Sequence, residues 1–252
     1  MKRFSRLEFG DRNGAGKKKA DGQDIRDEEY FRDQAVRFWL AGDFELALRN
    51  YSRALERNSM LFEAWLGQVL MLIELGEYRE AMVWADKAME LFPEHPDLLA
   101  AEAVACSRDG RREKALGYSD NSVSKENAGP RVWLARSEVL LHRNSRAAET
   151  CLSKAVSLAS HDSAEVRLEA GRLLNRTGSH GAALEYLHAA AEALPKSALA
   201  WYELACCQAK LGRAEAEVTF EHALKLRPDW EQARSALRKF KKRGILRKIF
   251  RI

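Results

Sequence analysis

The sequence predicts an all-α protein made of stacked helix pairs, and three observations predict it. Helix-favouring Ala, Leu, Glu, Lys and Arg are abundant, only 5 prolines interrupt them, and few stretches alternate apolar with polar residues as strands would. Gly42, Gly76, Gly110, Asn144, Gly178 and Gly212 recur at a constant step of 34 residues. Behind each stands a pair of small residues seven apart: Ala47/Ala54, Ala81/Ala88, Ala115/Ser122, Ala148/Ala155, Ala183/Ala190 and Ala216/Ala223.

Taken in order, six units open near residues 28, 62, 96, 130, 164 and 198. The first helix of each carries a large residue eleven positions before the glycine: Phe31, Trp65, Leu99, Trp133, Arg167 and Trp201. The glycine then supplies a left-handed turn, and Asn144 joins the series because Asn is the common substitute there. In the second helix, residues seven apart share a face two turns apart. Kept small, they let neighbouring helices approach closely. A bulky side chain at Ala81 or Ala88 would overpack that contact and cost about 1–3 kcal/mol. Pro93, Pro195 and Pro228 close their units.

Some units depart from the pattern. In units four and six the first alanine follows Asn144 and Gly212 by four residues instead of five, which predicts shorter turns. Arg167 replaces the expected aromatic, and Ser119 and Ser122 lie on the packing face of unit three. These changes weaken units three to five as rigid modules. A seventh segment opens with Asp229 and Gln232 in capping-box spacing. Its stripe of Trp230, Ala233, Leu237 and Phe240 predicts a helix covering the last apolar face, with Gly244 ending it.

The period, with its Trp, Gly, Ala, Ala and Pro positions, resembles the tetratricopeptide repeat (TPR) family over residues 28–230. The resemblance implies an α-solenoid, a right-handed superhelix of antiparallel pairs, whose concave face takes a protein or peptide partner. It implies that the second, fifth, ninth and twelfth positions of each unit face inward. Unit one then offers Glu29, Arg32, Val36 and Trp39, and unit two offers Glu63, Leu66, Leu70 and Ile73, with Glu74 beside them. Arg131 and Glu138 in unit four and Arg172 in unit five follow, with Arg176 nearby. The first half of the groove is apolar and acidic, fitting an apolar or basic amphipathic segment. The competing reading is that Leu66, Leu70 and Ile73 simply pack between helices. Relatives that grip a C-terminal carboxylate use Lys, Asn and Arg where this chain has Arg32, Val36, Gly67, Asp97 and Ala101. Only Arg32 suits, which argues against that clamp.

Charge divides the chain further. Residues 1–26 carry eight Lys/Arg against four Asp/Glu, and residues 230–252 carry nine against one. With a total of +5, the body between them is at −7. The reading is a basic flexible arm (1–26), the solenoid with its cap (27–243) and a tail (244–252). In the tail Ile245, Leu246, Ile249 and Phe250 alternate with Arg247, Lys248 and Arg251 as in a basic amphipathic helix. Three roles compete for it: a helix for a partner or an anionic membrane surface, a segment docking into an acidic groove with self-association as one result, or a return onto the cap. Basic ends attract phosphate non-specifically, but the acidic body and the lack of a stacking platform argue against specific nucleic-acid binding.

No catalytic, cofactor or metal pattern emerges. GAGKKK at 14–19 lacks the phosphate-loop glycine, since position 11 is Asp11, and Lys18 replaces the metal-holding hydroxyl. His180 and His188 lie eight apart, about 12 Å along a helix, too far for one ion. Cys106, Cys151, Cys206 and Cys207 show no CxxC spacing and read first as small packing residues, with redox or metal duty the lesser reading. The opening residues lack the apolar centre of a secretory signal, so the expected place is the cytoplasm, with peripheral membrane contact through the tail.

Overall fold

The computed structural model describes residues 27–141, 143–159 and 163–250, with side chains as far as Lys242. Among the described residues there are thirteen helices and no strand. The first helices of the six units are α1 (Glu28–Leu40), α3 (Phe62–Glu74), α5 (Pro96–Arg108), α7 (Pro130–Leu140), α9 (Ala164–Arg176) and α11 (Ala198–Lys210). Their partners are α2 (Phe44–Arg57), α4 (Tyr78–Leu91), α6 (Arg112–Val123), α8 (Ser145–Leu158), α10 (His180–Ala193) and α12 (Ala216–Leu226), and α13 (Glu231–Phe250) follows. Each first helix begins at the position the repeat predicts.

One turn is built five times. Gly42, Gly76, Gly110, Gly178 and Gly212 all have φ between 72° and 88°. The next residue's N–H reaches back five positions, as from Asp43 to Phe38 (2.8 Å), Glu77 to Leu72 (3.0 Å) and Arg111 to Cys106 (2.8 Å). This closes the orphan carbonyls of the first helix. Asn144 breaks the series and corrects its expected role. It has φ −150° and caps α8, its side chain accepting the Ala147 N–H at 3.0 Å. The turn is one residue shorter, so the register position falls on the N-cap, where Asn also excels. Unit six is corrected in the opposite sense. Gly212 keeps its left-handed turn, but α12 starts only at Ala216, after a tight turn in which the Ala216 N–H bonds to Arg213 O at 3.3 Å.

The small-residue stripe is fully buried. Ala47, Ala54, Ala81, Ala88, Ala148, Ala155, Ala183 and Ala190 have no exposed surface. Ser119 and Ser122 keep their places because each hydroxyl has a partner: Ser122 Oγ donates to the Ser119 backbone carbonyl at 2.8 Å, and Ser119 Oγ accepts from Arg136 at 3.2 Å. The tryptophans also fasten the loops between units. The indole N–H of Trp65 donates to Ser59 O, that of Trp133 to Ala128 O and that of Trp201 to Pro195 O, at 2.8–3.2 Å.

The cap packs as its stripe predicts, with Trp230, Ala233 and Leu237 buried and Phe240 against them. Its ends differ from expectation. The helix opens at Glu231, and Asp229 lies 3.7 Å from Arg227 instead of capping. It continues through Gly244, because a single interior glycine costs a helix only about 1 kcal/mol. The tail boundary at 244 is therefore not a break in the backbone. The arm of residues 1–26 and Arg251 lie outside the described residues.

The stack also closes on itself. The turn of unit one meets unit six and the cap: Ser197 Oγ donates to Leu40 O at 2.7 Å, and Arg227 donates to the Asp43 carboxylate at 3.2 Å. The Trp230 ring fills the space beside Gly42.

Gly67 in α3 faces the Tyr51 ring, and Gly171 in α9 faces Leu187, whose Cγ would lie 2.6 Å from an added Cβ and whose backbone N 3.2 Å. Alanine would favour either helix by about 1 kcal/mol. Overpacking outweighs this, so Gly171→Ala should lower stability by about 1–2 kcal/mol net, read by urea denaturation.

Candidate partner-binding cleft

The first helices line the inside of the closed stack. Between units one, two, four and five lies a cleft of about 270 Å³, with Val36, Trp39, Tyr51, Gly67, Leu70 and Met71 as its apolar wall and Arg131, Glu165 and Glu169 facing them. A smaller pocket of about 80 Å³ adjoins it, sharing Leu70, Glu74, Arg131 and Glu169 and reaching Val104, Leu134 and Leu173. Of the expected groove residues, Val36, Trp39, Leu70, Glu74 and Arg131 line the cleft, and Ile73 and Arg176 line the smaller pocket. Glu29 and Glu63 are exposed, and Arg32 pairs with its neighbour Asp33 at 2.9 Å. Leu66 and Ile73 are buried among the core residues, and Ile73 also borders the smaller pocket.

Glu74 borders both cavities, and Arg172 is buried beside it. Arg172, 7% exposed, gives one nitrogen to each of three carboxylates: Nη2 to Glu74 at 2.5 Å, Nη1 to Glu169 at 2.8 Å and Nε to Glu203 at 3.1 Å. Arg108 grips Glu138 through two bonds of 2.7 and 3.1 Å, and Arg176 adds a third at 3.0 Å. Arg108 also approaches Glu74 at 4.0 Å. Burial alone would lower the Arg172 pKa, but the carboxylates outweigh it and hold the guanidinium firmly charged. Burial likewise pushes Glu74 and Glu138 up, and their arginine partners more than reverse this, so both sit below the usual carboxylate range. Glu74 is thus neutralised from within, and the acidic character expected of the groove rests on other residues.

Arg108, Glu169 and Glu203 lie outside the second, fifth, ninth and twelfth positions. A signal for them exists. Glu74, Arg108 and Arg176 share one register of the 34-residue repeat, and Glu169 and Glu203 share another.

The remaining candidate chemistry is quiet. Burial pushes the Cys106 thiol to about 11 and Cys206 to about 12, so both stay protonated at neutral pH. Among the described residues no group of His, Cys, Asp and Glu is arranged to hold a metal ion, and no helix is long and apolar enough to cross a membrane. Glu102 is buried, with one oxygen 3.6 Å from Cys106 Sγ and the other without a hydrogen-bond partner in the protein. Burial, reinforced by Asp86, raises its pKa to about 7.

A family model for the tetratricopeptide repeat matches residues 32–96, 140–198 and 168–232. Over 82 residues the chain is 35% identical to Protein SGT1 homolog of Oryza sativa subsp. japonica; the match takes in 31% of this chain and only 22% of that protein. It is 36% identical over 59 residues to Uncharacterized protein MJ0572 of Methanocaldococcus jannaschii, covering 23% of this chain and 69% of that one. Among solved structures, a chain of the APC/C hetero-tetramer Cut9–Hcn1 superposes with a TM-score of 0.53 at 15% identity, over 85% of this chain and 43% of its own. That likeness is one of fold.

Two predictions follow from the buried charges. Arg172→Leu strands three carboxylates and should cost about 3–5 kcal/mol in urea denaturation. Glu102 binds more protons folded than unfolded, so its contribution to stability should fall as pH rises from about 4.5 to about 7. Glu102→Gln should remove that slope and stabilise the protein at pH 8 by about 2 kcal/mol, read as Tm against pH.

Proposed function

The chain belongs to the tetratricopeptide repeat family, and from that premise we propose that it is a non-catalytic scaffold or adaptor that holds a partner polypeptide in its concave cleft. The observation that carries this reading is the division of labour inside the stack. The interior arginines and glutamates are matched to one another and offer little net charge to a visitor. The wall of Val36, Trp39 and Leu70 is left partly open. Glu29, Glu63 and Glu165 stand exposed at the second position of their units, and Glu63 and Glu165 make no ion pair among the described residues. A segment with apolar residues on one side and Lys or Arg on the other fits this arrangement. Arg131 is the local exception, set 3.9 Å from Asp97. It favours an orientation that keeps the segment's cations towards units one, two and five.

The tail supports a second reading. Its backbone is helical to Phe250, the conformation in which Ile245, Leu246, Ile249 and Phe250 would gather opposite Arg247 and Lys248. As a membrane-surface helix it would give only weak, reversible attachment.

Partners recovered by cross-linking with the full-length chain separate the two. Glu63→Lys with Glu165→Lys, both on the surface, should weaken a cleft partner at least tenfold, while a chain ending at Arg243 retains it. Loss confined to the shortened chain would assign binding to the tail.

A further inference from the structure

The contacts that close the stack are less extensive than those that build it. Neighbouring units bury broad apolar faces against each other. The two ends meet at the turn of residues 40–43, flanked by Trp39 and Phe44, which pack against the core of units five and six. Ser197 Oγ donates to Leu40 O at 2.7 Å; Arg227 donates to Ala41 O at 3.4 Å and to Asp43 at 3.2 Å. Trp230 lies so close to Gly42 that an added Cβ would come within 2.6 Å of its ring. Deeper in, Glu74 reaches Arg172, 98 positions away in sequence.

The apolar core is divided in two. One cluster runs through units one to three, and a second through units five and six to Trp230 and Ala233, with Trp39 and Phe44 of unit one touching both. Unit four belongs wholly to neither: Val139 joins the first cluster and Leu152 the second.

We propose that the closed stack is one of two states, that the turn at residues 40–43 is a clasp on unit six and the cap, and that its release lets units one to three swing away from units five and six about unit four. Opening parts the cleft along its length and admits a polypeptide segment from the side. The motion stands on contacts within the chain; only the identity of what enters rests on the partner reading above.

The clasp can be cut without touching the helices it joins. Ser197 also caps α11, accepting the Ala200 N–H at 3.1 Å, and Asp43 caps α2, accepting from Leu46 at 3.1 Å. Ser197→Asp keeps a capping oxygen but sets an acceptor against the Leu40 carbonyl. Asp43→Asn keeps the cap and removes the charge facing Arg227.

The test is hydrogen exchange and small-angle scattering on the full chain carrying both changes. The expected result is at least tenfold faster exchange of amides in 41–46 and 229–234, a larger maximum dimension, and unchanged protection in α3, α4 and α5. Unchanged exchange and dimension would overturn the proposal. So would a uniform rise in exchange along the chain, which would make the ends part of one cooperative core. If circular dichroism shows the double variant unfolded, Asp43→Asn alone is read by the same criteria. Loss of partner binding with these readouts as expected would count against the cleft and leave the clasp standing.

Discussion

The structure depends on close approach between helices at a stripe of residues without bulk. A helix pair cannot bury both its faces alone, so each unit leans on the next. How closely it leans is set by Ala81, Ala88 and their equivalents, all without exposed surface. Larger residues such as Trp65 and Trp84, with ring centroids 5.6 Å apart, then fill the space left beside them. The left-handed glycine turn fixes the angle within a pair, and the stripe fixes the spacing between pairs. With the turn repeated five times and the stripe six, these two settings fix the general path of the chain.

That path curves far enough for the first unit to meet the last, and the curvature explains the polar interior. First helices line the inner side, where the bend crowds them together. Several charges there are withdrawn from water and need partners, Arg172 most of all. Glu74, Glu138, Glu169 and Glu203 meet Arg108, Arg172 and Arg176 in one connected set. Such a set is weak evidence for stability, since apolar replacements of equal volume often do as well. What it does supply is geometry. Each arginine nitrogen points at a carboxylate from a particular unit, so a sliding of one unit against another would break bonds that no other register restores.

Legibility from sequence followed the range of the interaction concerned. The six helix starts at 28, 62, 96, 130, 164 and 198 were readable because turn and stripe are local and repeat. Asn144 was readable as special but not in its role, since one deleted residue converts a turn position into a cap. The cap helix was readable in its buried stripe and not at its ends. Leu66 shows the limit for the cleft: counting positions places it inward with Leu70, one turn on along the same face, yet Leu66 is buried and only Leu70 borders the cleft. The pairing of Glu74 with Arg172 lay furthest from view. It depends on a bend that accumulates over three units, and nothing within ten residues of either partner announces the other.

The joint between the ends is smaller, helix against helix, than any joint along the stack. It consists of one neutral hydrogen bond from Ser197, one arginine shared between Asp43 and Ala41, one ring beside a glycine, the packing of Trp39 and Phe44 on the second core cluster, and the Glu74–Arg172 pair deeper in. A net hydrogen bond contributes about 1 kcal/mol, and a charged one about 1.5–3 kcal/mol. A unit-to-unit contact buries several large side chains, each contributing about 1.5–3 kcal/mol. The lesser extent of the end-to-end contact is why opening is proposed there and not between neighbouring units. The same comparison bears on Gly42. Alone among the turn glycines described with their surroundings, it is crowded as well as left-handed, whereas Gly76, Gly110 and Gly178 face open space. Those three turns could be drawn from the repeat alone. The turn at Gly42 is fitted to the far end of the same molecule.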